Sequence, residues 1–183
     1  MRALLRFEEV TLVRGGRLLL EDLSLQIGEG DAVQVLGPNG SGKSSLIRLA
    51  AGLLQPAKGR VHRPRVALAD DFLALDRELP LRRALEFWSD DVEPAMQALG
   101  LSELGPVPVR FLSSGQSKRA TLARVAASGA PLWLMDEPLN ALDAEGAKRL
   151  GALLEAHRHN GGAVLAASHQ KLRGQWRTLE LNG

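Results

Sequence analysis

The sequence predicts an α/β protein: a parallel-sheet core whose two strand–helix segments are separated by an inserted block of helices. Three features carry this expectation. Residues 31–36, Asp-Ala-Val-Gln-Val-Leu, run straight into Gly37-Pro38-Asn39-Gly40-Ser41-Gly42-Lys43-Ser44, and a helical pattern follows from Lys43 through Leu46, Ile47, Leu49 and Leu53. Residues 132–135, after Pro131, and residues Ala163–Ala167, after Gly161-Gly162, are short, wholly apolar runs of the kind buried on both faces of a parallel sheet. Between them, from about Asp70 to Ser128, the pattern is helical, with breaks at Pro80, Gly100 and residues 105–108.

In chain order, residues 4–13 read as a mixed apolar and charged strand. Residues 18–27 read as a second strand, marked by the alternation Leu23-Ser24-Leu25-Gln26-Ile27. The Gly28-Glu29-Gly30 turn precedes the third. After the helical block and the strand at 132–135, residues Ala144–His159 form a helix with leucines at 150, 153 and 154. The expected division is one domain over 1–183, with an α/β core from 1–68 and 130–183 and a helical subdomain from 69–129.

The chain has 183 residues, which suits a single domain. Apolar residues make up 45 % and charged residues 24 %, and the formal charge is +2. That narrow basic excess does not argue for nucleic acid, and none is expected as a partner. The densest basic stretches, Arg60-Val61-His62-Arg63-Pro64-Arg65 and Arg82-Arg83, read as solvated turns. The absence of cysteine excludes disulfides, thiolate zinc sites and thiol catalysis. Charges break the first nine residues too early for a signal peptide, and no apolar run approaches the ~18–20 residues of a membrane span. A membrane role would have to come through a partner.

Chemistry concentrates in a few short motifs. Residues 37–44 fit G-x-x-x-x-G-K-[ST] between a strand and a helix, a loop whose amides converge on phosphate. Gly37, Pro38, Asn39, Gly40, Ser41 and Gly42 would supply that cradle, with Ser45 next in the helix. Lys43 would add a full charge for the β- and γ-phosphates of ATP, and the Ser44 hydroxyl could ligate Mg²⁺. The strand at 132–135 ends in Asp136-Glu137. Asp136 could hold Mg²⁺ and Glu137 could act as general base toward water.

Leu112-Ser113-Ser114-Gly115-Gln116 then closely resembles the LSGGQ signature of ATP-binding-cassette (ABC) ATPases, a P-loop NTPase family with an inserted helical subdomain. Asn140-Ala141-Leu142-Asp143 is similar to that family's D-loop, and His169 to its switch histidine. The five motifs stand in the family's order and span nearly the whole chain. The resemblance implies an ATP-hydrolysing subunit in which Ser113, Gly115 and Gln116 of one copy close over ATP held by another. It also implies a homodimer in the ATP state and integral membrane transporter subunits as partners, which would place the chain at the cytoplasmic face of the membrane. Within the family, Leu-Ser-Ser-Gly-Gln, Gly-Ala-Pro-Leu-Trp-Leu and Ala-Ser-His-Gln, with the short C-terminal tail, resemble the ATPase subunit of the haem exporter used in cytochrome c maturation. A transport ATPase of another ABC subfamily and a nucleotide-gated regulatory subunit with little turnover are the alternatives.

Two positions depart from the family. An aromatic residue usually stacks on adenine where this chain has Val13-Arg14-Gly15-Gly16, so Arg14 would stack its guanidinium instead. The family's metal-ligating Gln between the subdomains is missing between 66 and 85, and Asp70 or Asp71 is expected there, with Asp70 as the candidate ligand. The competing reading of that acidic pair is a solvated helix start.

Overall fold

The computed structural model describes residues 2–181. β1 (Ala3–Arg14) and β2 (Arg17–Gly28) form an antiparallel hairpin. Its two-residue turn, Gly15-Gly16, has φ of 57° and 77°, the doubly positive backbone that matches strand twist and that glycine adopts without strain. β3 (Ala32–Leu36) leads into α1 (Lys43–Ala51), followed by β4 (Lys58–His62) and β5 (Val66–Ala69). The middle of the chain holds α2 (Leu81–Glu86), α3 (Glu93–Ala98), two 3₁₀ turns (Ser102–Leu104 and Val109–Phe111) and α4 (Ser114–Ala127). β6 (Leu132–Asp136), α5 (Ala144–His159), β7 (Ala163–Ala167) and β8 (Arg177–Glu180) complete it.

Two sheets result. The first is antiparallel, in the order β2-β1-β4, and the second is parallel, in the order β5-β6-β7-β3-β8. The parallel sheet is covered on both faces, and the period-2 alternation of its strands divides the core. Trp133 and Met135 of β6 and Val164 and Ala166 of β7 pack with the helical block and α5. Leu132, Leu134, Ala163, Leu165 and Ala167 pack with α1 and the antiparallel sheet.

Three expectations are corrected. Arg60, Val61 and His62 lie in β4, not in a solvated turn: the backbone pairs with β1 although only Val61 is half-buried. Arg82 and Arg83 lie in α2, where they pair with Glu93 and Glu86. Residues 70–80 are not helical. Asp70 and Asp76 each accept the backbone N–H two residues on, Phe72 at 3.1 Å and Glu78 at 2.9 Å, a local bond that competes with helix, and Pro80 holds its predecessor extended. Asp70-Asp71 therefore follows the end of β5 and does not start a helix. Among the described residues, no helix is long and apolar enough to cross a membrane.

Candidate functional site

Three neighbouring strands, β6, β7 and β3, deliver the motif residues to one edge of the parallel sheet. The glycine-rich loop leaves the C-terminal end of β3, Asp136 ends β6, and His169 follows the end of β7. The C-terminal edge of a parallel sheet is where α/β folds bind ligands.

The loop is shaped by close approach. A Cβ at Gly37 (φ 153°) would stand 2.5 Å from the Leu181 carbonyl oxygen and 2.6 Å from Ser41 Oγ, so no side chain fits there. Gly42 (φ 98°) is the N-cap of α1 and offers no side-chain acceptor to the first N–H groups of the helix, which are left pointing at the loop's mouth. Ser41 is buried, and its hydroxyl has no partner among the described residues. Lys43 is also buried, with Nζ donating to the carbonyls of Gly37 (2.7 Å) and Pro38 (2.9 Å). Convergent donors, an unpartnered hydroxyl and a fixed ammonium fit a polyphosphate.

The two acidic motif residues meet this loop. Ser44 Oγ donates to Asp136 Oδ1 at 3.0 Å, joining positions 92 residues apart. Burial pushes the Asp136 carboxyl above its ordinary range, the Ser44 bond opposes this, and the charges of Glu137 and Asp71 reinforce it. Among the described residues, no three carboxylate or imidazole groups cluster as a closed metal cage. A hydroxyl and one carboxylate side by side instead suit Mg²⁺, which takes one or two protein ligands and completes its shell with phosphate and water.

Glu137 has φ 48°, a left-handed backbone costly for a side-chain-bearing residue, and its N–H donates to the Ala167 carbonyl at 2.8 Å. That bond ties the β6 end to β7. His169 Nδ1 lies 2.9 Å from Glu137 Oε2, so the imidazole and the carboxylate form a pair. Gln34, buried on β3 and overlooked as a functional candidate, anchors the histidine's loop: its amide donates to the Gln170 carbonyl (2.6 Å) and its oxygen accepts the Leu172 N–H (3.3 Å). A lone polar residue in the apolar run 32–36 was the available signal.

Other candidates are placed differently. Arg14 reaches the first turn of α1, where its guanidinium donates to Ser45 Oγ at 3.5 Å. Asp70 turns into its own loop, and no side-chain hydrogen bond joins it to Ser44 or Asp136 among the described residues; the charge of its neighbour Asp71 helps raise the Asp136 pKa. Ser113 and Gln116 form a reciprocal cap at the start of α4: Ser113 Oγ accepts the Gln116 N–H (3.2 Å) and Gln116 Oε1 accepts the Ser113 N–H (2.8 Å). Gly115 packs so closely on the Ala141 carbonyl that a Cβ would stand 2.9 Å from it, which seats the signature on the loop after β6. Asp143 caps α5, accepting the Gly146 N–H at 2.7 Å. A cavity of about 610 Å³ lined by Gly30, Arg158, Arg173 and Trp176 opens where β3 begins, away from every motif.

The family model for ABC transporters matches residues 20–140. The chain belongs to the ABC transporter family. The cytochrome c biogenesis ATP-binding export protein CcmA of Sphingopyxis alaskensis is 55 % identical to this ABC protein over 177 residues, covering 92 % of this chain and 91 % of the relative. The same protein of Novosphingobium aromaticivorans is 54 % identical (90 % and 87 % covered), and that of Zymomonas mobilis 48 % identical (98 % and 85 %). Among solved structures, a dimeric ATP-binding cassette bound to ADP and Pi superposes with a TM-score of 0.83 at 22 % identity, covering 97 % of this chain and 94 % of that one. The expected α/β fold with ABC-type architecture is thereby confirmed.

Proposed function

We propose that this chain is the ATP-binding, ATP-hydrolysing subunit that powers the haem exporter of cytochrome c biogenesis. The observation that carries the enzymatic reading is the 3.0 Å bond between Ser44 and Asp136, which brings the phosphate loop and the acidic strand end into one site beside the Glu137–His169 pair. The export role is supported by relatives named for cytochrome c biogenesis that match about nine-tenths of the chain.

The chain's residues divide the work as follows. Gly37 to Gly42 and the open end of α1 bind the phosphates of ATP, with Ser45 behind them. Lys43 exchanges two carbonyl partners for phosphate oxygens, and the exchange is easy because its ammonium already stands in the loop. Ser44 and Asp136 would hold Mg²⁺, with the acidic pair Asp70-Asp71 after β5 as the further candidate. When bound, Mg²⁺ neutralises charge on the β- and γ-phosphates. Glu137 takes the proton of the attacking water, and His169, held by Glu137 through Nδ1, keeps Nε2 for the γ-phosphate side. Arg14 covers the base side. Ser113, Gly115 and Gln116 serve the ATP of a second copy, so that the homodimer is the working unit.

The core at 1–68 and 130–183 carries the catalytic groups, and the helical subdomain at 69–129 docks onto integral membrane subunits at the cytoplasmic face of the membrane. The large exposed apolar side chains of that subdomain, Phe72, Phe87 and Phe111, support such docking.

The test is the ATPase rate of wild type and Glu137→Gln, alone and with the membrane subunits. The variant is expected to bind ATP as wild type does and to hydrolyse it at least ~10²-fold more slowly. A wild type that binds ATP but never hydrolyses it would sink the enzymatic reading in favour of a regulatory subunit. Co-purification of haem and its membrane proteins from native membranes tests the cargo.

A further inference from the structure

Gln34 is the one polar side chain of β3, and it is only 3 % exposed. Burying a primary amide is costly unless both of its ends are bonded. Here both are, to groups of opposite kind. Its NH₂ donates to the Gln170 carbonyl at 2.6 Å, and its oxygen accepts the Leu172 N–H at 3.3 Å. A carbonyl on one side and an N–H on the other fix which way the amide points. Both partners belong to the turn at 168–172, which lies in no helix or strand and carries His169. That turn has few other ties to the sheet. The Ser168 N–H donates to the Val35 carbonyl at 3.3 Å, and His169 meets Glu137 through Nδ1 at 2.9 Å. The bond from the Gln170 N–H to Ser168 Oγ (3.1 Å) stays within the turn. The histidine turn is thus fastened to β3 at two adjacent residues, Gln34 and Val35, and β3 runs directly into the phosphate loop at Gly37.

We propose that Gln34 is a positioning residue for ATP hydrolysis: its amide registers the histidine turn against the strand that carries the phosphate loop, and so keeps the His169 imidazole on Glu137. The inference rests on the reading of Glu137 and His169 as the pair that acts on water and the γ-phosphate. The side-chain bonds of Gln34 go to the histidine turn and not to the phosphate loop. Its loss therefore leaves the phosphate-binding groups in place and frees the group that acts in hydrolysis. The lever is short, because Gln170 follows His169 directly. A misplacement of about 1 Å at a reacting group costs up to ~10²-fold in rate. Any side chain of similar size would serve a packing role. Holding a carbonyl and an N–H at once requires a donor and an acceptor together: methionine offers neither bond, and a glutamate carboxylate offers only the acceptor.

The test compares Gln34→Met and Gln34→Glu with wild type in steady-state ATP hydrolysis with the membrane subunits present. Gln34→Met is expected to lower kcat about tenfold and to leave KM within about twofold of wild type, the split of an interaction that acts in the chemical step. Gln34→Glu should lose kcat relative to wild type as pH rises from about 6 to about 9, because the acid that can donate to Gln170 becomes a carboxylate that cannot. The second readout is proton NMR of the imidazole signals of the purified chain. It has four histidines, and the His169 signal is the one lost in His169→Ala. In wild type, Glu137→Gln is expected to shift this signal; with Gln34→Met in place, the same replacement should shift it less than half as far. Wild-type kcat in Gln34→Met overturns the proposal, as does a Gln34→Glu ratio of one across that pH range. A lowered kcat with the response of His169 to Glu137 intact also overturns it and marks Gln34 as a packing residue. Should Gln34→Met fail to fold, as a thermal melt would show, Gln34→Glu decides by the same two readouts. A wild type that hydrolyses no ATP sinks the enzymatic reading alone, since the NMR comparison still decides whether Gln34 holds His169 on Glu137. A wild-type His169 signal that ignores Glu137→Gln refutes the pair, and the inference falls with it.

Discussion

At Asp136 burial and ligand binding act in opposite senses. The carboxylate ends β6 in a partly enclosed position, and burial raises its pKa above the ordinary 3.8, with the Ser44 hydroxyl pulling the other way. The folded chain thus holds this proton more tightly than the unfolded chain does. The resulting penalty is absent at low pH, where both states are protonated. It grows as pH rises through the unfolded value and is complete above the folded one. Solvent reaches the half-exposed carboxylate and screens the cost, so the effect is small. Asp136→Asn is therefore expected to melt slightly higher than wild type at neutral pH without nucleotide, with the difference fading as pH falls through the raised value. In Mg·ATP the order reverses, because wild type gains binding energy that the amide forfeits. Thermal denaturation across pH, with and without Mg·ATP, checks both halves. An asparagine variant that melts lower than wild type at neutral pH without ligand would refute the account.

At the scale of elements, the docking of α5 onto β6 is open to pH. The His157 ring stacks on Trp133 with centroids 3.7 Å apart and planes 7° from parallel. Burial lowers the His157 pKa from its ordinary 6.5, partly opposed by backbone groups of Ala163 and Pro131. The unfolded chain takes up a proton first as pH falls, so the stability associated with neutral His157 is full above 6.5 and is lost on descent through the interval to the lowered native value. His157→Phe keeps an aromatic ring on Trp133 and cannot titrate. Urea unfolding should show wild type losing more stability than this variant between about pH 7 and about pH 5, and equal losses would exclude the assignment. The elements also show why legibility was uneven. β3, β6 and β7 are buried on both faces, so each is a largely apolar run that sequence alone marks, broken only by Gln34 in β3 and by Asp136 at the end of β6. β4 (Lys-Gly-Arg-Val-His) and β8 (Arg-Thr-Leu-Glu) are edge strands, each with a single half-buried side chain, held by backbone bonds to one neighbour. Nothing in their side chains announces a strand. The helical expectation for 70–80 failed because short-range bonds to Asp70 and Asp76 outcompete helix, which is visible only once the backbone is placed.

At the scale of the molecule, the motifs were legible as strings because phosphate chemistry demands particular residues at particular spacings, whereas Gln34 acts from a position defined only by the folded sheet. Among the described residues, no side-chain hydrogen bond joins the signature to the phosphate loop of its own chain. The side-chain bonds of Ser113 and Gln116 stay within their own turn, Ser113 is solvent-exposed, and Gly115 is seated on Ala141. If the signature completes the site of a second copy, loop and signature lesions must complement when carried by different chains. Lys43→Ala removes the loop charge and leaves its own signature intact; Ser113→Arg blocks the signature and leaves its own loop intact. Each variant alone should be inactive. In an equimolar mixture about half the dimers pair one of each, and each such dimer holds one site with both parts intact, so the mixture should recover about a quarter of the wild-type ATPase rate per chain. The measurement is steady-state hydrolysis of the separate and mixed proteins under ATP, with sedimentation to confirm that dimers form. A mixture no more active than its components, although dimers form, would mean that each chain completes its own site. The exposed signature would then have to be explained by a role other than closing over a neighbour's ATP.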